Sequence, residues 1–168
     1  MPESLPIYLK RRADRSLNYL LRQAEAVSAE DALRGRRDDW PDQPWGIGQD
    51  GSIAGIVTHV AAWKQLTLPL FQPNGKAGGR ADFDTATPPD PNDWPALLDW
   101  LRRIGREWNS ALEALTDAEF DSLRDWEGTQ ISIAQFASEM IQHDVQHAAQ
   151  IEYLRQLYAA DRNTGASE

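Results

Sequence analysis

Residues 132–159 read SIAQFASEMIQHDVQHAAQIEYLRQLYA, and this stretch decides the expected fold. Ser132 and Gln135 form a capping-box pattern, which predicts the start of a helix. Apolar residues then recur at steps of three and four, as on the buried face of an amphipathic helix. His143 and His147 lie on that apolar stripe, four residues apart. Side chains at this spacing stack on one helix face, with Cβ atoms roughly 5–6 Å apart, so the two imidazoles could share one metal ion.

Three earlier segments show the same helical periodicity. The first runs through Leu17 and Leu21, the second follows Ser52 as an N-cap, and the third follows Asn92 or Asp93 as an N-cap. Together the patterns predict helices over about 7–27, 53–71, 94–115 and 133–159. No strand-length alternating run is evident. We therefore expect one all-α domain over residues 1–168, built as a four-helix bundle.

The segments between these helices contain most of the glycine and proline. Residues 34–51 predict a loop held by Trp40 and Trp45. Residues 72–92 are too long for a tight turn, which indicates a crossover segment. The polar tail from residue 161 onward is expected to fray.

The connection before the last long helix has its own signals. Thr116 and Glu119 form a capping box, which predicts a short helix through Leu123. Residues 124–130, with Trp126 among them, predict a turn or a brief extended link.

Composition excludes several classes of partner and site. The formal net charge is −9, which argues against nucleic acid or an anionic membrane as a partner. The chain has no cysteine, so only nitrogen and oxygen ligands could hold a metal. Neither a signal peptide nor an apolar run of the ~18 residues that a membrane span needs is evident. A cytoplasmic protein is the expectation.

His59 is the third and last histidine, and it lies on the apolar stripe of the second predicted helix, one turn before Trp63. Lys64 is expected to point outward from that helix. At ~1.5 Å per residue, His59 is about 10 Å from the start of its helix, and His143 and His147 are about 16–22 Å from the start of theirs. If the two helices, each about 30 Å long, run antiparallel, all three histidines lie at the same height along the bundle axis. If the helices run parallel, the heights differ by roughly 6–12 Å.

The pattern Ser52…His59-x-x-x-Trp63, with His143-Asp144-x-x-His147-x-x-Gln150-Ile151 downstream, resembles the DinB/YfiT-like superfamily. The resemblance covers the chain from the first helix through Leu157. It implies a bundle in up-down-down-up order, in which residues 72–92 are a long crossover between helices two and three. It also implies that the family's three metal ligands are His59, His143 and His147 in this sequence.

Three neutral imidazoles leave at least one coordination position open, as in catalytic zinc sites. Zn²⁺ is the first choice, and nickel, iron, copper and cobalt also suit imidazole. An open metal can lower the pKa of water, polarise a carbonyl, or bind and deprotonate a thiol.

A peptidase of the zincin type is the mechanism that two histidines on one helix first suggest. The sequence argues against it, because Asp144 stands where the glutamate base would be and the third histidine lies upstream. Asp144 is a candidate to orient a metal-bound imidazole, or else a solvated helix residue, and Gln150 and Glu139 are weaker candidates for that orienting role. Trp63, Gln150 and Trp126 are candidates to line the pocket, and the alternative for the two tryptophans is a place in the core.

Characterised relatives implied by the resemblance are thiol-S-transferases that use bacillithiol, mycothiol or a similar thiol, and others are described as metal-dependent hydrolases. We therefore expect a metal-dependent enzyme that activates a small thiol, or water, for transfer onto a small electrophile. The alternatives are a non-catalytic metal-binding stress-response protein and a structural bundle with three hydrogen-bonded histidines, so enzymatic activity stays open. The resemblance also implies a homodimer, with Trp94 or Trp100 as candidates for its interface.

Overall fold

The computed structural model describes residues 3–37 and 50–165. Within these ranges lie α1 (Leu5–Glu25), α2 (Ala29–Leu33), α3 (Ile53–Thr67), α4 (Trp94–Glu113), α5 (Ile133–Gly165), β1 (Leu123–Trp126) and β2 (Thr129–Ser132). Three 3₁₀-helices span Leu68–Phe71, Arg80–Thr85 and Asp117–Asp121. The loop predicted around Trp40 and Trp45 lies outside the described residues. None of the helices in the described ranges is long and apolar enough to cross a membrane.

The predicted four-helix bundle is confirmed, because the long helices α1, α3, α4 and α5 pack against one another. Two predicted helix ends are wrong. α3 ends at Thr67, and a 3₁₀-helix containing Pro69 follows, since proline lacks the N–H that a further α-helical hydrogen bond would use. α5 continues to Gly165, so residues 161–165 are helical and not frayed.

Serine caps determine where the two histidine-bearing helices begin. Ser52 Oγ accepts a hydrogen bond from the backbone N–H of Gly55 at 3.0 Å, and Ser132 Oγ accepts one from that of Gln135 at 3.1 Å. Each cap satisfies an N–H that has no partner within its helix. The caps therefore fix the residue at which each helix starts, and with it the residues that share each helix face.

The segment predicted as a turn or a brief extended link is a β-hairpin, whose two paired strands no alternating pattern had predicted. Trp126 pairs with Thr129 at the end of the hairpin. Glu127 and Gly128 form the two-residue turn, with φ of 52° and 80°. A turn with both central residues in the left-handed region matches the twist of the flanking strands. Each strand has only 4 residues, which is too short for a clear alternating pattern.

The segment before this hairpin keeps its predicted cap but not its predicted length. Glu119 Oε2 accepts a hydrogen bond from the backbone N–H of Thr116 at 2.8 Å. The helix opened by this interaction is a 3₁₀-helix that ends at Asp121, because Leu123 is already the first residue of β1.

α1 and α5 run in the same direction, whereas α3 and α5 run in opposite directions. Contacts between α1 and α5 advance together along both helices: Ser16–Asp144, Tyr19–Glu152 and Gln23–Arg155. Contacts with α5 move backward as the chain advances through α3, from His59 against His147 to Phe71, just after α3, against Phe136. In this arrangement histidines from α3 and α5 can occupy one level.

Buried polar residues divide the bundle core into two apolar clusters. On α5 the boundary falls between Ile141 and Ala148, and on α1 it falls between Ala13 and Leu17. The buried polar residues near this boundary are Ser16, His59, Lys64, Thr67, Asp144 and His147. Together with the half-buried His143, they form what we call the polar layer.

Trp94 and Trp100, which we considered for a dimer interface, are core residues. Each is only 4% exposed. The indole N–H of Trp94 donates to the carbonyl of Val27 at 3.1 Å, and that of Trp100 donates to Gln65 Oε1 at 3.1 Å. Both indole rings are therefore buried and hydrogen-bonded within the bundle.

Candidate metal centre

The three histidines meet within the polar layer. His59 projects from α3, and His143 and His147 project from successive turns of α5. The Nε2 atom of His143 lies 3.0 Å from that of His59 and 3.2 Å from that of His147. One nitrogen from each ring lies within 4.8 Å of the other two. His59 and His147 are buried and His143 is half-buried, so water does not surround the cluster.

Gln150 determines the orientation of the His147 ring. Its Oε1 atom lies 2.7 Å from His147 Nδ1. An amide oxygen can only accept a hydrogen bond, so the ring proton is on Nδ1. The Nε2 lone pair of His147 then faces the other two histidines, as metal binding requires.

His143 has unmet bonding capacity at the centre of the cluster. Its Nδ1 atom is buried without a hydrogen-bond partner among the described residues. Burial, together with smaller contributions from the repulsion of positive charge on His147, His59 and Lys64, lowers the pKa of His143 from 6.5 to about 2. Burial also lowers the pKa of His147. Both rings are therefore neutral near pH 7, which is the state in which imidazole binds metal.

The nitrogen set fits a tetrahedral divalent metal ion. With Zn–N distances of about 2.0–2.1 Å, tetrahedral geometry separates two nitrogen ligands by about 3.3 Å. The observed Nε2–Nε2 separations of 3.0 and 3.2 Å are close to this value. Hydrogen bonding alone satisfies the cluster poorly, because one ring proton on His143 cannot serve both of its neighbours.

A cavity of about 470 Å³ lies beside the cluster. It is lined by His59, Trp63, Trp126, Glu127, Glu139, Met140, His143, Gln146, His147 and Gln150. Binding sites for small molecules have volumes of about 300–1,000 Å³. Since all three histidines line the cavity, a small molecule can reach the nitrogen set.

Two tryptophans from different elements contribute apolar surface to this cavity. Trp63 follows His59 by one turn of α3, with the two ring centroids 6.4 Å apart and nearly perpendicular. Trp126 belongs to β1 and packs edge-on against Phe136 of α5, with centroids 5.4 Å apart. The hairpin is therefore the element that brings Trp126 to the cavity.

The family model of the DinB superfamily matches residues 12–151. The chain belongs to the DinB superfamily. The match begins in α1, ends in α5 and includes all three histidines, so the resemblance inferred from the histidine pattern is confirmed. No curated protein and no solved structure matches the chain.

Asp144 of this DinB protein faces the bundle interior, so its interpretation as a solvated helix residue was wrong. It is 1% exposed. Its Oδ2 atom lies 2.9 Å from Lys64 Nζ and 3.2 Å from Ser16 Oγ. The acceptor that orients an imidazole is instead Gln150, which was a weaker candidate than Asp144 for that role.

Lys64 was expected to face solvent, and that prediction was wrong, because its side chain is 0% exposed. Its ammonium pairs with Asp144 and lies 4.5 Å from the centroid of the Trp108 ring. α3 reads IAGIVTHVAAWKQLT and is apolar on nearly every side. A helix with that pattern is buried all round, so its lysine has no exposed face to occupy. That pattern is the signal by which the sequence could have identified Lys64.

Sequence reasoning also missed three residues that line the cavity. Met140 lies one turn before His143 on α5 and Gln146 lies one turn after it, so helical spacing alone could have identified them. Glu127 lies in the hairpin turn, and no local signal connects that turn with the histidines.

Proposed function

We propose that this DinB protein is a metal-dependent enzyme that activates a small thiol, or water, for transfer onto a small electrophile. His59, His143 and His147 hold the metal ion, with Zn²⁺ as the first choice for a set of nitrogen ligands. The observation that carries the proposal is the convergence of three ring nitrogens within 4.8 Å of one another beside an accessible cavity. When bound there, a divalent metal lowers the pKa of a thiol or water and so supplies a nucleophile near neutral pH.

The chain's own residues bind the substrate and keep the ligand set in place. Gln150 keeps the proton of His147 on Nδ1, so that Nε2 faces the cluster. Trp63 and Trp126 provide apolar surface against which an uncharged part of a small molecule can pack.

The placement of Asp144 favours a thiol over water as the nucleophile. Where two helical histidines hold zinc in a peptidase, the neighbouring carboxylate serves as the general base. Here that carboxylate is sealed from solvent and paired with Lys64. A thiol needs no such base, because coordination to the metal is enough to deprotonate it. If water is the nucleophile, the carboxylates that line the cavity, Glu127 and Glu139, are the candidates for a base.

Metal analysis tests the site itself. We expect the purified wild type to take up one equivalent of Zn²⁺, Ni²⁺ or Co²⁺ and to melt at a higher temperature when loaded. His147→Ala should lose this uptake. Gln146→Ala is the matched control, because Gln146 lines the same cavity from the same helix but lies outside the histidine set. A wild type that takes up no stoichiometric metal, with an unchanged melting temperature, contradicts the metal site and supports the purely structural alternative.

A panel of small thiols with a bromobimane acceptor tests the activity. In the expected reaction a sulfur–carbon bond forms, the carbon–bromine bond breaks, bromide leaves and the thiol proton passes to solvent. Metal-loaded wild type and Gln146→Ala should exceed the uncatalysed rate with at least one thiol, and His147→Ala should not. Equal rates for wild type and His147→Ala with every thiol, and with ester and amide substrates, would leave the non-catalytic metal-binding protein as the better account.

A further inference from the structure

Four helices each contribute one side chain to a buried network behind the histidines. Lys64 Nζ from α3 lies 2.9 Å from Asp144 Oδ2 of α5 and 4.5 Å from the ring centroid of Trp108 on α4. Ser16 Oγ from α1 lies 3.2 Å from the same carboxylate oxygen. The side chains of Lys64 and Asp144 are 0% and 2% exposed. An ion pair with no access to water therefore lies where the four long helices meet.

Stability is a weak explanation for such an ion pair. Removing two charges from water costs free energy that their attraction recovers only in part, and an apolar pair of similar volume is often as stable or more stable. What an ion pair adds is a specific position of one helix relative to the other. An ammonium and a carboxylate satisfy each other at one separation, whereas apolar side chains tolerate sliding, and a buried polar residue can specify helix register for that reason.

The ion pair lies next to the histidines in sequence as well as in space. Asp144 directly follows His143 on α5 and precedes His147 by three positions. Lys64 follows His59 on α3 by five positions. A slip of one residue moves a helix by about 1.5 Å and turns it by about 100°. Either movement of α5 against α3 would separate Nε2 atoms that now lie 3.0 Å apart.

We propose that Lys64 and Asp144 are positioning residues, whose buried ion pair holds α5 in register against α3 and so sets the geometry of the three histidines. The inference rests on the proposed metal site for its functional meaning. Its structural content, the register of two helices, is independent of that site.

The main test replaces both charges with apolar side chains, in Lys64→Met/Asp144→Leu. We expect a folded protein with a melting temperature near that of the wild type. Its affinity for Zn²⁺ should fall by about 10–100-fold, as when other groups that orient metal ligands are lost. The visible absorption spectrum of the Co²⁺-loaded protein should also change, because this spectrum reports the arrangement of the ligands around the metal.

A second ion pair provides the matched control. Arg102 of α4 and Glu25 of α1 lie 2.8 Å apart, and their side chains are 32% and 44% exposed. Arg102→Met/Glu25→Leu removes an interhelical pair of the same charge types without touching the polar layer. We expect Zn²⁺ affinity and the Co²⁺ spectrum to be unchanged in this variant.

Single substitutions distinguish an effect of the ion pair through helix register from an effect through its electric field. If the pair acted only through its electric field, Lys64→Met would raise metal affinity by removing a nearby positive charge, and Asp144→Asn would lower it. If the pair acts through register, both substitutions lower the affinity and both alter the Co²⁺ spectrum. Opposite changes in affinity with unchanged spectra would overturn the proposal.

Two other results would also overturn it. A double variant that binds Zn²⁺ as tightly as the wild type with the same Co²⁺ spectrum shows that register does not depend on the ion pair. A double variant that melts far below the wild type shows that the pair serves stability. If the wild type binds no metal, the proposed function fails, and crystal structures of the metal-free wild type and double variant decide the inference. An Nε2–Nε2 separation that stays near 3.0 Å between His59 and His143 in both would refute it.

Discussion

The polar layer has two ends that differ in their access to solvent. At the histidine end, formed by His59, His143 and His147, the rings line a cavity of about 470 Å³. At the ion-pair end, formed by Lys64 and Asp144, the side chains are 0% and 2% exposed. The histidine end includes the neutral rings of His143 and His147, and the ion-pair end holds two opposite charges 2.9 Å apart. Each end also has buried polar atoms without a hydrogen-bond partner among the described residues: Nδ1 of His143 at one end, and Nζ of Lys64 and Oδ1 of Asp144 at the other.

Consecutive residues of one helix serve these two ends. Successive positions on an α-helix point about 100° apart, so His143 can face the cavity while Asp144 faces the core. The difference suggests that loss of one charge at the ion-pair end lowers stability as well as changing the geometry of the histidines, whereas loss of a ring at the histidine end affects binding alone. Substitutions at each end can break or sharpen this distinction.

The largest effect is expected for Lys64→Met. It leaves the Asp144 carboxylate buried without its counter-charge, and breaking a buried pair in this way costs about 3–5 kcal/mol of unfolding free energy. Urea denaturation of the metal-free protein measures it. Arg102→Met is the control, because its pairs with Glu25 and with Asp99 both have solvent access, and each should cost about 0–1 kcal/mol. Similar losses for both variants would remove the distinction between the ion-pair end and an ordinary surface pair.

His143→Ala should abolish metal binding with little effect on the unfolding free energy of the metal-free protein. The ring lies at the centre of the set, with Nε2 at 3.0 and 3.2 Å from its two neighbours. Loss of a ligand should weaken Zn²⁺ binding by more than the about 100-fold that loss of an orienting group can cost. Calorimetric titration measures the binding, and urea denaturation measures the stability. A variant that keeps wild-type affinity but unfolds more easily would reverse the roles of the two ends.

Gln150→Ala should have an intermediate effect, confined to binding. Without the amide oxygen 2.7 Å from His147 Nδ1, the ring is free to rotate and to change tautomer. We expect Zn²⁺ affinity to fall by about 10–100-fold. Gln146→Ala, from the same helix and cavity, should change it little. Equal affinities for wild type and Gln150→Ala would show that packing alone orients His147.

The pH dependence of the metal-free protein should give the smallest effect. The pKa of His143 in the folded chain lies below its ordinary value of 6.5, at about 2, because the ring is buried. Between these values the unfolded chain binds a proton that the folded chain does not. The contribution of the His143 ring to stability is therefore fully present above pH 6.5. Below that pH, this one group lowers the free energy of unfolding by about 1.4 kcal/mol per pH unit. Urea denaturation at pH 7.5, 6.5 and 5.5 measures the slope.

His143→Ala serves as the reference for that slope. The variant lacks the titrating ring, so its stability should depend less on pH over the same interval. A wild type and a variant with the same slope would show that His143 does not remain neutral in the folded chain as the pH falls.

Most of the histidine end was predictable because its signals are local. The helical spacing of His143 and His147 and the apolar stripe around His59 can be read without knowledge of the rest of the fold. The level at which the stripes meet needed only helix geometry and the relative direction of two helices. Gln150 was recognised as a weaker candidate by its position one turn from His147.

The ion-pair end could not be predicted in the same way. Lys64 looks like a solvent-facing residue on a single helix, because lysine is rarely buried without a partner. Its partner, Asp144, lies 80 positions away in sequence on α5, and only their meeting makes the burial of either charge tolerable. The hairpin that brings Trp126 to the cavity escaped for a related reason, because its short strands carry little periodicity of their own.

The amino-acid sequence by itself determined the four long helices, the serine caps that start two of them, and the set of histidines on their inward faces. Capping and periodicity act between residues a few positions apart, so they can be recognised in the sequence alone. The tertiary structure alone decided which polar side chains share the core, that Asp144 turns toward Lys64, and that Gln150 takes over the orientation of a ring. Those outcomes depend on which faces of distant helices meet, since the cost of burying a charge or an imidazole is set by its neighbours in space.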